Sequence, residues 1–142
     1  ASETGAIVLR DLDFFGMDMD IYAPCALGAT LNTENIQRLK CKVIAGAANN
    51  QLAEEAVHGP MLTEKGIVYA PDFLINAGGL INVYSELTGY NRDRALQHTE
   101  KIYDYTLGIF RIAEEQKIPT YLAANRAAEQ RIRDIGKVRL GF

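Results

Sequence analysis

Three short runs rich in β-branched and aromatic residues, at positions 19–23, 42–45 and 66–70, each stop at a proline or a glycine, with helix-like stretches between them. The first, Met19-Asp20-Ile21-Tyr22-Ala23, closes at Pro24. The second, Lys42-Val43-Ile44-Ala45, closes at Gly46, and the third, Gly66-Ile67-Val68-Tyr69-Ala70, at Pro71-Asp72. Runs of this length bounded by turn formers read as strands. Strands alternating with helices indicate an α/β fold with a parallel sheet. Such sheets are normally covered on both faces and continue past three strands. A sheet of three is therefore expected to be part of a larger one, with an unpaired inner edge.

The helices follow from periodicity and punctuation. Asn32-Thr33-Glu34-Asn35 suits a helix start, with Ile36 and Leu39 as its apolar edge. In the mixed stretch 51–65, Gly59-Pro60 predicts a break, which puts His58 in a loop. Positions 80–87 read as helix after Gly78-Gly79. Between Asn91 and Gln116, Ala95, Thr99, Ile102, Thr106, Ile109 and Ala113 alternate gaps of four and three, one stripe of an amphipathic helix. Arg92, Asp93, Arg94, Glu100 and Lys101 form its solvated face, with His98 exposed among them, and Tyr103 and Tyr105 read as packing residues. Pro119-Thr120 opens a last helix toward Ile135, with Gly136 as its stop. Ahead of the first strand, Asp11-Leu12-Asp13 leads to a turn at Gly16.

Composition narrows the function. The chain is 48% hydrophobic and 23% charged, which fits one globular domain rather than a disordered tail. A net charge of −3 leaves no basic surplus for a phosphate backbone, so no nucleic acid partner is expected. No apolar run is long enough to span a bilayer, and Ala1-Ser2-Glu3-Thr4 has no leader-like pattern. Cys25 and Cys41 form no C-x-x-C pair, and His58 and His98 stand apart from them, so the expectation is no metal site and a reduced, cytoplasmic setting.

The chemistry gathers where the strands end. Ala23-Pro24-Cys25-Ala26-Leu27-Gly28 follows the first run, Gly46-Ala47-Ala48-Asn49-Asn50 the second, and Asn76-Ala77-Gly78-Gly79 the third. In open parallel sheets, ligands bind outside the carboxyl ends of the strands. Small residues admit a ligand closely, and a carboxamide offers donors and an acceptor. Each loop also has a plain reading. The Cys25 turn bears a buried thiol, Asn50 is a turn or cap residue, and Leu80 and Val83, one helical turn apart, are core. The three loops in phase point instead to one shared site. No G-x-G-x-x-G, phosphate-binding loop or Ser-His-Asp order is present.

Three stretches together resemble the glutamate/leucine/phenylalanine/valine dehydrogenase family, and within it the leucine branch. They are Asp20-Ile21-Tyr22-Ala23-Pro24-Cys25-Ala26-Leu27-Gly28, then 42–52 (Lys42-Val43-Ile44-Ala45-Gly46-Ala47-Ala48-Asn49-Asn50-Gln51-Leu52), then 66–83, continuing through Glu86-Leu87 to Gly89-Tyr90-Asn91-Arg92. The resemblance implies the second half of a Rossmann-like NAD-binding domain, a partial domain over 1–90, with C-terminal helices over 91–142 packing back toward a catalytic domain. It implies NAD as cofactor and oxidative deamination of a branched-chain L-amino acid to a 2-oxo acid and ammonia, in a homo-oligomer. The catalytic lysine and aspartate of the family have no counterpart in this chain, so no catalytic residue is expected here. By the same resemblance Ala23, Pro24, Cys25 and Ala26 stand beside the nicotinamide ribose, and Asn76 closes on the nicotinamide. Asn50 touches both nicotinamide and substrate, and Leu80 and Val83 line the substrate side-chain pocket. The alternatives are a phenylalanine or valine dehydrogenase, or a non-catalytic binding or assembly module. The likeness requires the Cys25 turn, Asn50 and Asn76 to meet at one sheet margin.

Overall fold

The computed structural model describes residues 3–9 and 12–137. Asp11 of the acidic stretch, the first two residues and positions 138–142 lie outside the described residues. A 3-10 turn, Leu12–Gly16, leads into strand β1 (Ile21–Tyr22). Helix α1 (Thr33–Arg38), β2 (Val43–Ile44), α2 (Glu55–Glu64) and β3 (Val68–Tyr69) follow, then α3 (Asp72–Ile75), α4 (Gly78–Leu87), α5 (Arg92–Gln116) and α6 (Thr120–Lys137). The strands lie parallel in the order β1-β2-β3, with Ile21 beside Val43 beside Val68 and Tyr22 beside Ile44 beside Tyr69.

The pleat gives the two faces of this sheet different fates. Tyr22, Ile44 and Tyr69 are buried and join Leu31, Ile36, Leu39, Leu62 and Ile67 in the main core under α1 and α2. On the other face Ile21 is 60% and Val68 43% exposed. Parallel strands are normally covered on both sides, and here one side is bare.

Caps set the helix ends. The Asn32 side chain accepts the Asn35 amide at 2.9 Å, and Asn91 does the same for Arg94 at 2.9 Å. α5 buries Ala95, Ile109 and Ala113, with Thr99, Ile102 and Thr106 half-buried between them, as the stripe predicts. α5 ends at Lys117 in a left-handed cap, φ 53°. Ile109, Ala113, Ala123 and Ala124 form a second core between α5 and α6. The Thr120 hydroxyl ties α6 to the sheet, donating to the Tyr69 carbonyl at 2.6 Å.

Four expectations are corrected. Gly59-Pro60 does not break α2, which runs through both. Proline removes one helical bond, the one to Ala56, which is exposed to water. Gly59 is instead a close-approach site, since a Cβ there would stand 2.4 Å from the Tyr121 ring. His58 is consequently not in a loop. It is buried in α2, its Nδ1 accepting the Glu54 amide at 2.9 Å and its Nε2 facing the Thr33 hydroxyl at 3.2 Å. Gly136 does not stop α6, which continues to Lys137. Tyr103 and Tyr105 are 69% and 47% exposed, off the buried stripe.

Candidate functional site

Because the strands are parallel and in register, their carboxyl ends open on one margin. The first two loops touch backbone to backbone there. Ala45 N–H donates to the Tyr22 carbonyl at 3.0 Å and Ala48 N–H to the Pro24 carbonyl at 2.9 Å. A Cβ on Gly46 would lie 2.2 Å from the Pro24 oxygen, so only glycine allows this approach. Ala47 N–H also points at the Cys25 sulfur, 3.4 Å away. Pro24 is buried, whereas Ala23, Cys25 and Ala26 are exposed, which corrects the buried-thiol reading of Cys25.

The third loop joins through Asn76, the residue capping α3. Its side-chain amide donates to the Asn49 side-chain oxygen and, at 3.4 Å, to the Ala47 carbonyl. Asn50 stands next to Asn49 with φ 52°, a left-handed conformation that asparagine tolerates better than most residues. The plain reading of Asn50 as a turn residue is therefore correct for its backbone. Its carbonyl accepts the Ala29 amide at 2.7 Å. Its side chain is exposed and has no hydrogen-bond partner among the described residues. The structure thus brings together the Cys25 turn, the 46–50 loop and Asn76.

Two residues beneath this margin escaped the sequence reading. Gln51 is fully buried, and its side-chain N–H groups donate to the carbonyls of Gly46 at 2.6 Å and Ala48 at 2.8 Å. Asp72, also buried, accepts the Gln51 backbone amide at 2.8 Å and that of Phe73 at 2.6 Å. The Asp72 amide meets the Tyr69 hydroxyl at 3.3 Å. Burial, and then the neighbouring Asp72 carboxylate, push that phenol well above its ordinary range. The local signal was slight: a glutamine after two asparagines, and an aspartate after a proline.

Leu80 and Val83 are 73% and 59% exposed on α4. The core reading of these two is corrected, and they stand free to line a pocket. With Leu87, 81% exposed, they form an apolar stripe opposite Ser85, which is buried. A separate groove of about 990 Å³ between α3, α5 and α6 is lined by Leu74, Tyr105, Ile109, Ala124, Ala127 and Ile135 among others. It contains neither Cys25, Asn50 nor Asn76, so the candidate chemistry belongs to the margin. No helix among the described residues is long and apolar enough to cross a membrane.

Ala23, Ala26 and Ala47 present nothing beyond Cβ, and Asn50 offers a donor and an acceptor. The sequence profile of the Glutamate/Leucine/Phenylalanine/Valine dehydrogenase family matches residues 2–139. The chain belongs to this family. It is 58% identical to a leucine dehydrogenase of Thermoactinomyces intermedius over 99% of its own length and 38% of the relative's. It is 49% identical to a phenylalanine dehydrogenase of Bacillus thermotolerans, over 96% of its length and 36% of that relative's. The crystal structure of L-tryptophan dehydrogenase from Nostoc punctiforme superposes with a TM-score of 0.88 at 52% identity, covering 92% of this chain and 39% of that one. The chain thus spans a little over a third of the length of these amino acid dehydrogenases.

Proposed function

We propose that this chain is the cofactor-facing, C-terminal part of an NAD-dependent dehydrogenase that oxidatively deaminates branched-chain L-amino acids, leucine foremost. The observation that carries the reading is the meeting of three strand-end loops around one unpartnered carboxamide, that of Asn50. The bare sheet face at Ile21 and Val68 supports a covering layer contributed by the rest of the enzyme.

In the proposed reaction the substrate Cα gives up a hydride and its amino group a proton, leaving an imino acid. Water adds to the imine carbon and ammonia departs, giving the 2-oxo acid. NAD, when bound, supplies the hydride acceptor. This chain orients the partners. Ala23, Pro24, Cys25 and Ala26 form a thin wall for the nicotinamide ribose, and Asn76 closes the far side through Asn49. Asn50 holds the nicotinamide carboxamide and the substrate nitrogen. Leu80 and Val83 supply apolar surface for the side chain, and such a surface separates substrates differing by one methylene by only about 1–3 kcal/mol. Leucine, isoleucine and valine are therefore all substrates in this proposal. The family likeness also supports a homo-oligomer, which sedimentation of the full-length enzyme tests.

The test is steady-state turnover of the full-length enzyme on L-leucine, L-valine, L-phenylalanine and L-tryptophan, with NAD and NADP compared. Highest kcat/KM for leucine with NAD supports the proposal. Preference for phenylalanine or tryptophan overturns the substrate assignment, and no turnover of any of the four overturns the activity.

A further inference from the structure

Resting on the role proposed for Asn50, we infer that Gln51 and Asp72 are positioning residues that aim the Asn50 carboxamide by clamping the one peptide group that follows it. That group, the Asn50–Gln51 peptide, is held at both ends. Its oxygen accepts from Ala29 at 2.7 Å, and its N–H donates to an Asp72 carboxylate oxygen at 2.8 Å. With φ of Asn50 at 52° and the next peptide plane fixed, only side-chain torsions remain free to move the carboxamide. Asp72 is itself fixed, its other oxygen bound to Phe73 N–H at 2.6 Å.

Gln51 completes the clamp from within the loop. Both of its side-chain N–H groups go to carbonyls of the loop that carries Asn50, those of Gly46 and Ala48. The amide orientation is determined, because the two partners are both acceptors. Its Oε1 is buried and has no hydrogen-bond partner among the described residues. A buried carboxylate and a buried, half-satisfied glutamine are expensive residues for holding a turn in place. They stand next in chain and in contact with the turn of a side chain that makes no hydrogen bond among the described residues, where a small misplacement is costly to turnover.

Gln51→Met is read by its effect on kcat against KM and by its coupling to Asn50. It deletes both loop bonds and leaves the Gly46 and Ala48 carbonyls without these donors, so melting temperature falls as well, and the kinetics are measured well below it. In the full-length enzyme kcat is expected to fall about tenfold or more while KM for NAD and leucine shifts less than about threefold. In an Asn50→Ala background, Gln51→Met is expected to have almost no further effect on kcat, since it acts through Asn50. Independently of activity, Asp72→Asn leaves a single acceptor oxygen for two N–H groups, so hydrogen exchange at the Gln51 amide accelerates in the ligand-free enzyme.

Additive losses in the double variant, or unchanged kcat in Gln51→Met, overturn the inference while leaving the role of Asn50 intact. Unchanged exchange in Asp72→Asn overturns the clamp, and serves as the deciding measurement if Gln51→Met does not fold. Unchanged kcat in Asn50→Ala overturns both the role of Asn50 and this inference.

Discussion

Replacing Gly46 by alanine tests the most tightly drawn feature of the site, the backbone contact between the first two strand-end loops. The new methyl carbon would stand 2.2 Å from the Pro24 oxygen, 2.5 Å from its nitrogen and 2.6 Å from its carbonyl carbon. All three are backbone atoms, so no rotamer change relieves the overlap. Ordinary contact begins at 3.4 Å, and the loops must therefore part by about 1 Å. That movement stretches the Ala48-to-Pro24 hydrogen bond from 2.9 Å to beyond bonding range. Overpacking of this kind costs about 1–3 kcal/mol, and the lost bond adds about 1 kcal/mol. A total of about 2–4 kcal/mol corresponds to a fall in melting temperature of roughly 3–5 °C in an enzyme as long as these relatives, of which this chain spans 38%. Because the Cys25 turn and the Asn50 loop move apart, kcat is expected to drop as well, by up to about a hundredfold for a 1 Å displacement. Thermal unfolding and steady-state kinetics of the full-length enzyme provide the readout. Gly136→Ala is the control: a Cβ there meets nothing within 4 Å among the described residues, so the same substitution near the end of α6 is expected to leave stability unchanged or raise it by less than about 1 kcal/mol. Equal melting temperatures for Gly46→Ala and the parent, with unchanged kcat, would refute the close approach.

Other outcomes follow from individual contacts. Lys65 donates to three carbonyls at the end of α1, those of Ile36, Gln37 and Leu39, at 2.8–3.0 Å. Lys65→Met is therefore expected to cost about 1–2 kcal/mol, the lower part of the charged-bond range because the lysine is solvent-exposed, as read by denaturant titration. Cys25 is exposed and Cys41 buried, with burial raising the Cys41 thiol above the ordinary value of 9.0. A thiol reagent applied to the native enzyme is expected to modify Cys25 and to spare Cys41 until denaturant is added, with peptide mapping as the check. Cys41 and Tyr69 both hold their protons more tightly folded than unfolded. Their stabilising contribution is complete below the ordinary thiol and phenol values of 9.0 and 10.0 and is lost as pH rises toward the raised ones. Melting temperature should therefore decline in alkali, and less steeply in Tyr69→Phe; an identical slope in that variant would refute the linkage.

The chain's local chemistry was enough to place its strands and most of its helices, though not the short α3 or the unbroken α2. β-branched and aromatic runs ended by proline or glycine marked β1, β2 and β3, and Asn32 and Asn91 marked two helix starts. Alternating gaps of three and four marked the buried stripe of α5. These signals are short-range, set by backbone sterics and by the 2.0 and 3.6 residue periods, so they survive without knowledge of neighbours. Small residues and amides after each strand likewise marked the margin, because the topology of a parallel sheet sends all such loops to one side.

What tertiary structure decided was which partners met. Gln51 and Asp72 lie 21 positions apart, and nothing local tells that one would hold the other's amide. Asn49 and Asn50 are the same residue type side by side, yet contact with Asn76 occupies one and leaves the other free. Gly59-Pro60 carried a breaker's signature, but Tyr121 packs where a side chain would have been and α2 continues. Leu80 and Val83 had the composition of core and turned outward, because α5 packs on the opposite side of α4, where Ser85 is buried. Burial and hydrogen-bond partnership arise from the packing of distant segments, and the energy that selects them exceeds any single residue's local preference.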